Sequence, residues 1–143
     1  MVSEGRAELT AREAAAWKEF RAAVDAIPAE RREAPILADG WSVKDVLGHV
    51  AYWWEDLAPT YVALRAGVER PDDEDTDTTN ARVLDEGRGM TLADVEAGAV
   101  RSREGMLAAW ADAPDDPTAD EAFVSETIEH YEEHLPWLRS VAG

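Results

Sequence analysis

Four stretches of this chain begin with the same helix-start signal, a Ser or Thr followed three residues later by an acidic residue. In such a capping box, the hydroxyl and the carboxylate each bind a backbone N–H that the first helical turn leaves without a partner. Each signal precedes apolar residues at helical spacing, and no stretch alternates apolar and polar residues as a half-buried strand does. The sequence therefore predicts an all-α protein with four helices. The four pairs are Thr10/Glu13, Ser42/Asp45, Thr91/Asp94 and Thr118/Glu121.

Prolines and a glycine limit or interrupt the predicted helices. Pro28 ends the first helix, and Gly67 stops the second. Pro59 lies inside the second helix and is predicted to kink or break it, because its ring clashes with the preceding turn. Pro136 is expected to disturb the last turns of the fourth helix. The predicted helices span about residues 10–27, 42–65, 91–111 and 118–141.

The segment between the second and third helices, residues 67–90, is too long for a tight connection. Its residues 80–86 are predicted to form a short helix before Gly87 and Gly89. Such a connection breaks a simple up-and-down arrangement of neighbouring helices. We therefore expect a four-helix bundle with a long crossover between helices two and three. The chain, residues 1–143, is long enough for one domain with one core.

Composition excludes several kinds of function. The net charge of −17, from 14 basic and 31 acidic residues, opposes binding to nucleic acid or to an anionic membrane. The absence of cysteine excludes disulfides, thiolate nucleophiles and cysteine-type zinc sites. The N-terminus lacks the apolar run of a signal peptide, and no stretch has the about 20 apolar residues that cross a bilayer. We expect a cytoplasmic protein.

The chain has three histidines, and their positions suggest one metal site. His130 and His134 are spaced i and i+4, so on a helix their rings lie on one face, together with apolar residues. His49 lies at the edge of the apolar face of the second helix, beside Trp53. If these helices pack together, all three imidazoles could bind one divalent metal and leave a coordination position open. Alternatively, His49 is a hydrogen-bonded border residue.

Three charged residues are candidates for catalysis. Glu126 and Glu133 flank the histidine pair, and either could orient an imidazole or act as a base; the alternative for each is a solvated helix face. Arg103 lies in the middle of the inward face of helix three. It could pair with Glu96 at the edge of the bundle or hold an anionic group of a substrate near the metal.

Three segments resemble the DinB-like superfamily, which includes mycothiol-dependent maleylpyruvate isomerase-type proteins and bacillithiol transferases. They are the Gly-Trp-Ser-Val-Lys-Asp-Val-Leu-Gly-His-Val run at residues 40–50, Asn-Ala-Arg at 80–82, and His130-x-x-x-His134. The resemblance implies a four-helix bundle with a long crossover and a metal site formed by His49, His130 and His134. It also implies frequent homodimers and activity as metal-dependent thiol S-transferases, thiol-dependent isomerases or hydrolases.

Together these features favour a metal-dependent thiol S-transferase or hydrolase that acts on a small molecule. The three histidines would hold Zn, Ni or Fe and activate water or a low-molecular-weight thiol. The alternative is a non-catalytic protein that binds or sequesters a small molecule in a Trp-lined cavity, with histidines that only form hydrogen bonds. In a third reading the metal is structural.

Overall fold

The computed structural model describes residues 4–71 and 74–142. Within these ranges the chain forms helices and turns and no strand, which confirms the all-α helical bundle expected from the sequence. Two short 3₁₀ turns, Ala29–Arg31 and Ala38–Gly40, follow the first helix. The helices are α1 (Glu4–Asp25), α2 (Val43–Glu55), α3 (Leu57–Ala66), α4 (Thr76–Arg88), α5 (Leu92–Ala111), α6 (Pro117–Val124) and α7 (His130–Val141).

Helix α1 begins six residues before the predicted start, so the predicted Thr10/Glu13 capping box is wrong. The Thr10 hydroxyl lies inside the helix, where it donates to the Arg6 carbonyl and accepts from the Trp110 indole. Glu13 is fully buried. Helix α1 starts earlier than predicted because the residues before Thr10 include Glu, Arg and Ala, which are good helix formers and extend the helix in front of the local start signal.

Two of the other start signals act as predicted. At Ser42, the hydroxyl accepts from the Asp45 N–H and the Asp45 carboxylate accepts from the Ser42 N–H, which is a complete capping box. Thr91 caps α5 by accepting from the Asp94 N–H. The Thr118/Glu121 signal is wrong, because α6 begins one residue earlier. There, Asp116 is the cap, and Pro117 occupies the first helical position, where a missing N–H costs nothing.

The second predicted helix is broken, as Pro59 led us to expect. α2 ends at Glu55, four residues before Pro59, at the carbonyl with which the proline ring clashes. α3 then spans Leu57–Ala66 and is capped by Gly67, whose φ of 69° is the left-handed conformation that favours glycine. In the crossover, α4 (Thr76–Arg88) contains the short helix predicted at 80–86 and extends beyond it at both ends.

The fourth predicted helix is interrupted by a π-helical turn, Ser125–Glu129, between α6 and α7. The buried residues Phe123 and Tyr131 lie eight positions apart, which on a regular helix would separate them by about 80°. A π turn holds more residues than an α-helical turn and so reduces this angular separation. Both side chains therefore face the core. Pro136 remains inside α7 without ending it.

The core lies between α1, α2, α5 and α7, with α3 and α6 closing one end and α4 packed on α2. Its largest members are aromatic. Trp110 stacks on Phe123 with ring centroids 4.0 Å apart, and Tyr131 packs against Trp17 and Phe20 at 5.5 Å. No helix in the described ranges is long and apolar enough to span a membrane.

The Ser42 capping box gives a test of the fold. We expect Ser42→Ala to lower the free energy of unfolding by about 1 kcal/mol, because it leaves a buried helix start without its side-chain acceptor. Ser140→Ala makes the same chemical change at an exposed position of α7 and should change stability by less than about 0.5 kcal/mol. Urea denaturation measures both. Equal effects of the two substitutions would contradict this role of Ser42.

Candidate metal centre

The fold brings the three histidines together. His49 lies in the second turn of α2, and His130 and His134 lie in the first two turns of α7. Their ring centroids are 4.7–5.0 Å apart in all three pairs, and one nitrogen of each ring lies within 4.8 Å of the others. The relative exposure is only 8% for His49 and His130 and 3% for His134. The distribution of the histidines over two packed helices is therefore as expected from the sequence.

Their ring nitrogens fit a metal ion. Both ring nitrogens of His134, and Nδ1 of His130, are buried without a hydrogen-bond partner among the described residues. A buried polar atom without a partner is costly, and a metal would supply a partner for one nitrogen of each ring. The Nε2 atoms of His49 and His130 lie 2.8 Å apart. This is close to the about 3.0–3.4 Å between two nitrogens that are each about 2.1 Å from one metal ion.

Burial also keeps these imidazoles neutral. It lowers the pKa of His49 to about 4, with a further contribution from His134. Burial, and then His49 and His134, lower the pKa of His130 to about 3. The pKa of His134 is lowered by burial as well, against an opposing effect of Glu133. Neutral rings keep the lone pairs that a metal needs, so all three are ready to act as ligands at neutral pH.

Two tryptophans enclose His134. Its ring is stacked on Trp41, with centroids 6.4 Å apart and an angle of 16°, and it meets Trp137 edge-on at 4.8 Å. Trp41 also contacts the His49 ring edge-on at 5.1 Å. Indole rings offer no acceptor to an imidazole N–H. They exclude water from His134 without satisfying its nitrogens by hydrogen bonds.

A cavity of about 260 Å³ opens beside His49 and His130, and Glu126 forms part of its wall. Burial, followed by the nearby Asp56 carboxylate, raises the pKa of Glu126 to about 7, against the opposing effect of Arg70. A carboxylate with such a pKa can accept and return a proton near neutral pH. The other residues of the cavity wall are Trp53, Thr76, Asn80, Ser125 and Glu133.

The candidate catalytic residues lie in two places. Glu126 and Glu133 both border the cavity beside the histidines, but only Glu126 is partly buried, and Glu133 is exposed. Arg103 instead lies between α1 and α5, where it donates to both carboxylate oxygens of Glu13 at 2.5 and 3.3 Å. Glu96, the partner considered from the sequence, pairs with Arg32 at 3.1 Å.

The cavity includes residues that the sequence analysis did not select as site residues. The Trp53 indole donates to the Asn80 side-chain oxygen at 2.9 Å and thereby ties α4 to α2 at the wall of the cavity. Trp53 lies four residues after His49, so a helical wheel already placed it on the same face. Thr76 and Ser125 gave no such signal, because their positions depend on how the crossover and the π turn fold.

Metal content tests the centre directly. We expect tag-free protein to contain about one divalent metal ion per chain, and His49→Ala and His134→Ala to lose it, since either removes one of three ligands. Inductively coupled plasma mass spectrometry after reconstitution with Zn, Ni and Fe gives the stoichiometry. Glu132→Gln, at an exposed position between the two α7 histidines, is the matched control and should keep the metal. Metal-free wild type after reconstitution would contradict the site.

The lowered histidine pKa values predict how the metal-free protein responds to acid. Below about pH 6.5 the unfolded chain protonates its histidines, whereas the folded protein keeps His49 and His130 neutral down to about pH 4 and 3. Unfolding therefore takes up protons, and stability falls as the pH falls through 6.5. Between pH 7 and 5 we expect His49 and His130 each to contribute about 1–2 kcal/mol to this loss.

The variant His130→Leu isolates this effect, because it removes one of the buried imidazoles and keeps an apolar side chain in its place. In urea denaturation with a chelator at both pH values, the loss of stability on acidification should be smaller than in wild type by about 1–2 kcal/mol. Titrating groups distant from His130 are common to both proteins and cancel in the comparison. Equal losses would show that His130 is not held neutral by burial.

The comparisons with known proteins agree with this architecture. A family model described as the mycothiol maleylpyruvate isomerase N-terminal domain matches residues 13–139 and so includes all three histidines. No curated protein and no solved structure matches the chain significantly. Because the match extends from α1 to α7, the chain belongs to the mycothiol maleylpyruvate isomerase N-terminal domain family, which is DinB-like.

Proposed function

We propose that this protein is a metal-dependent enzyme that activates a small thiol or water for attack on a small-molecule substrate, as a thiol S-transferase or a hydrolase. The proposal rests on one observation: both ring nitrogens of His134 are buried beside His49 and His130 without a hydrogen-bond partner among the described residues. Without a metal, neither ring nitrogen of His134 has a partner among the described residues, whereas a metal would bind one of the two. The cavity beside the other two rings gives a substrate access to the same centre.

In this proposal the metal and the side chains have different roles in activating the nucleophile. His49, His130 and His134 would hold a divalent metal, which would make a thiol or water molecule at this centre more acidic. Glu126 borders the cavity and has a pKa of about 7, so it would accept the proton of that nucleophile and return it to the product. Trp41, Trp137 and Trp53 limit the access of water to the centre, which strengthens electrostatic interactions inside it.

The family favours a thiol over water as the nucleophile. The description of the matching family names mycothiol and maleylpyruvate isomerase, and a thiol is softer than water and suits a borderline metal such as Zn. Mycothiol is therefore the first thiol to test. The cavity is small by the standard of ligand sites, which measure about 300–1,000 Å³, so it suits the reacting part of a substrate.

An assay of thiol consumption tests the proposal. Wild type reconstituted with Zn, Ni or Fe should accelerate the reaction of mycothiol with monochlorobimane, in which a C–S bond forms and chloride leaves, or else the hydrolysis of p-nitrophenyl acetate. His134→Ala and metal-free wild type are the controls and should react at the uncatalysed rate. A metal-loaded protein that binds a thiol stoichiometrically in calorimetry, without turnover, would instead support the sequestration protein.

Glu126 provides a prediction about the pH dependence of the reaction. Since a base must be deprotonated, the rate should rise with pH through about 7, and Glu126→Gln should lower the rate about 10²–10⁴-fold and remove that rise. Glu129→Gln makes the same change at an exposed position of the π turn and should retain the wild-type rate. A Glu126→Gln variant with the wild-type profile would exclude this carboxylate as the base.

A further inference from the structure

A buried carboxylate lies inside the bundle, where it meets polar groups of α5 and α7. The side chain of Glu13 on α1 is only 1% exposed. Its two oxygens accept from the Arg103 guanidinium of α5, and one of them also accepts from the Tyr131 hydroxyl of α7 at 2.9 Å. A carboxylate so deeply buried is tolerated only when its partners are in place.

The hydrogen bonds continue from this carboxylate to α2. The Tyr131 hydroxyl, which donates to Glu13, accepts from the Trp54 indole N–H at 2.8 Å. Arg103, Glu13, Tyr131 and Trp54 thus form one chain of hydrogen bonds through α5, α1, α7 and α2. Each group in this chain polarises the next, so its members support one another.

This chain joins the two helices that carry the histidines. Tyr131 directly follows His130 at the start of α7, and Trp54 lies five residues after His49 in α2, which is about 7.5 Å along the helix axis. The Trp54–Tyr131 hydrogen bond is therefore a direct link between these helices next to the centre. It limits both the rotation of α7 about its axis and its sliding along α2.

Local structure does not fix that rotation. The π turn of residues 125–129 immediately precedes His130, and α7 therefore does not continue the register of α6. A ring nitrogen of a histidine lies about 6 Å from its helix axis, so a rotation of only 10° moves it by about 1 Å. Metal–nitrogen distances tolerate about 0.2 Å. The orientation of α7 must consequently be held more tightly than a π turn alone can hold it.

We propose that the Tyr131 hydroxyl, held by Glu13 and Trp54, is the positioning group of the metal centre, which sets the separation of His130 and His134 from His49. This inference rests on the proposed metal site. The competing interpretation is that the same hydrogen bonds only stabilise the bundle. The two differ in what they predict for the folded, metal-loaded protein, because only a positioning role changes the geometry of the bound ion.

Co(II) is a suitable probe, because its visible absorption reports the number and arrangement of its ligands. Tyr131→Phe keeps the ring and removes the hydroxyl. We expect this variant to bind Co(II) about 10–100-fold more weakly than wild type, the size of effect seen when the support of a metal ligand is lost, because its histidine helices are no longer joined by this hydrogen bond, and to show an altered band at saturating Co(II). Circular dichroism under the same conditions establishes that the protein is folded.

Tyr61→Phe is the matched control. Tyr61 is also fully buried, but its hydroxyl has no hydrogen-bond partner among the described residues. Its loss should leave the Co(II) affinity within about twofold of wild type and the band unchanged, since no link between the helices is removed. Urea denaturation of both metal-free variants separates lost stability from changed geometry. Should Tyr131→Phe not fold, Trp54→Phe removes the indole donor at the other end of the link and should alter affinity and band in the same direction.

The outcomes separate the two proposals. If Tyr131→Phe is less stable but has the wild-type Co(II) affinity and band, the hydrogen bonds are a structural anchor and the positioning role is wrong, while the metal site stands. If wild type itself binds no Co(II), both the metal site and this inference are overturned. Weaker binding and an altered band in Tyr131→Phe alone, with Tyr61→Phe unchanged, support the inference.

Discussion

The burial of three imidazoles between α2 and α7 is the constraint on which the rest of this structure depends. Rings that are at most 8% exposed are poorly solvated, and burial lowers the pKa of all three, so they stay neutral at neutral pH. Neutral buried nitrogens that lie only a few ångströms apart are satisfied either by hydrogen bonds to one another or by a bound metal ion. A mutual bond is available to His49 and His130 at 2.8 Å, but His134 has none among the described residues.

The bundle meets this constraint with irregular rather than ideal helices. Pro59 breaks the second helical segment just beyond the His49 helix, and the π turn interrupts the fourth just before His130. The π turn borders the centre through Ser125 and Glu126, in agreement with the frequent occurrence of π turns at functional sites. It changes the register of α7 relative to α6 while Phe123 and Tyr131 both stay buried.

Polar groups buried away from the histidines then hold the helix orientations. Glu13 is the clearest case, because the sequence pattern made it one half of a capping box and the structure makes it a buried ion-pair partner of Arg103. The start signals at Ser42 and Thr91 were correct because nothing before them continues a helix. Those at Thr10 and Thr118 failed where stronger neighbours, helix-forming residues and an Asp-Pro pair, moved the helix start.

The sequence by itself determined the all-α class, the break near Pro59 and the spacing that places His130 and His134 on one face, because these depend on short-range backbone chemistry. It also limited the metal ligands to a few candidates, since the chain has three histidines and no cysteine. Only the tertiary structure decided that Glu126 borders the centre, that Arg103 pairs with the buried Glu13, and that Tyr131 links the two helices that carry the histidines. Those outcomes depend on how helices rotate against one another, which packing across the whole core fixes and local sequence does not.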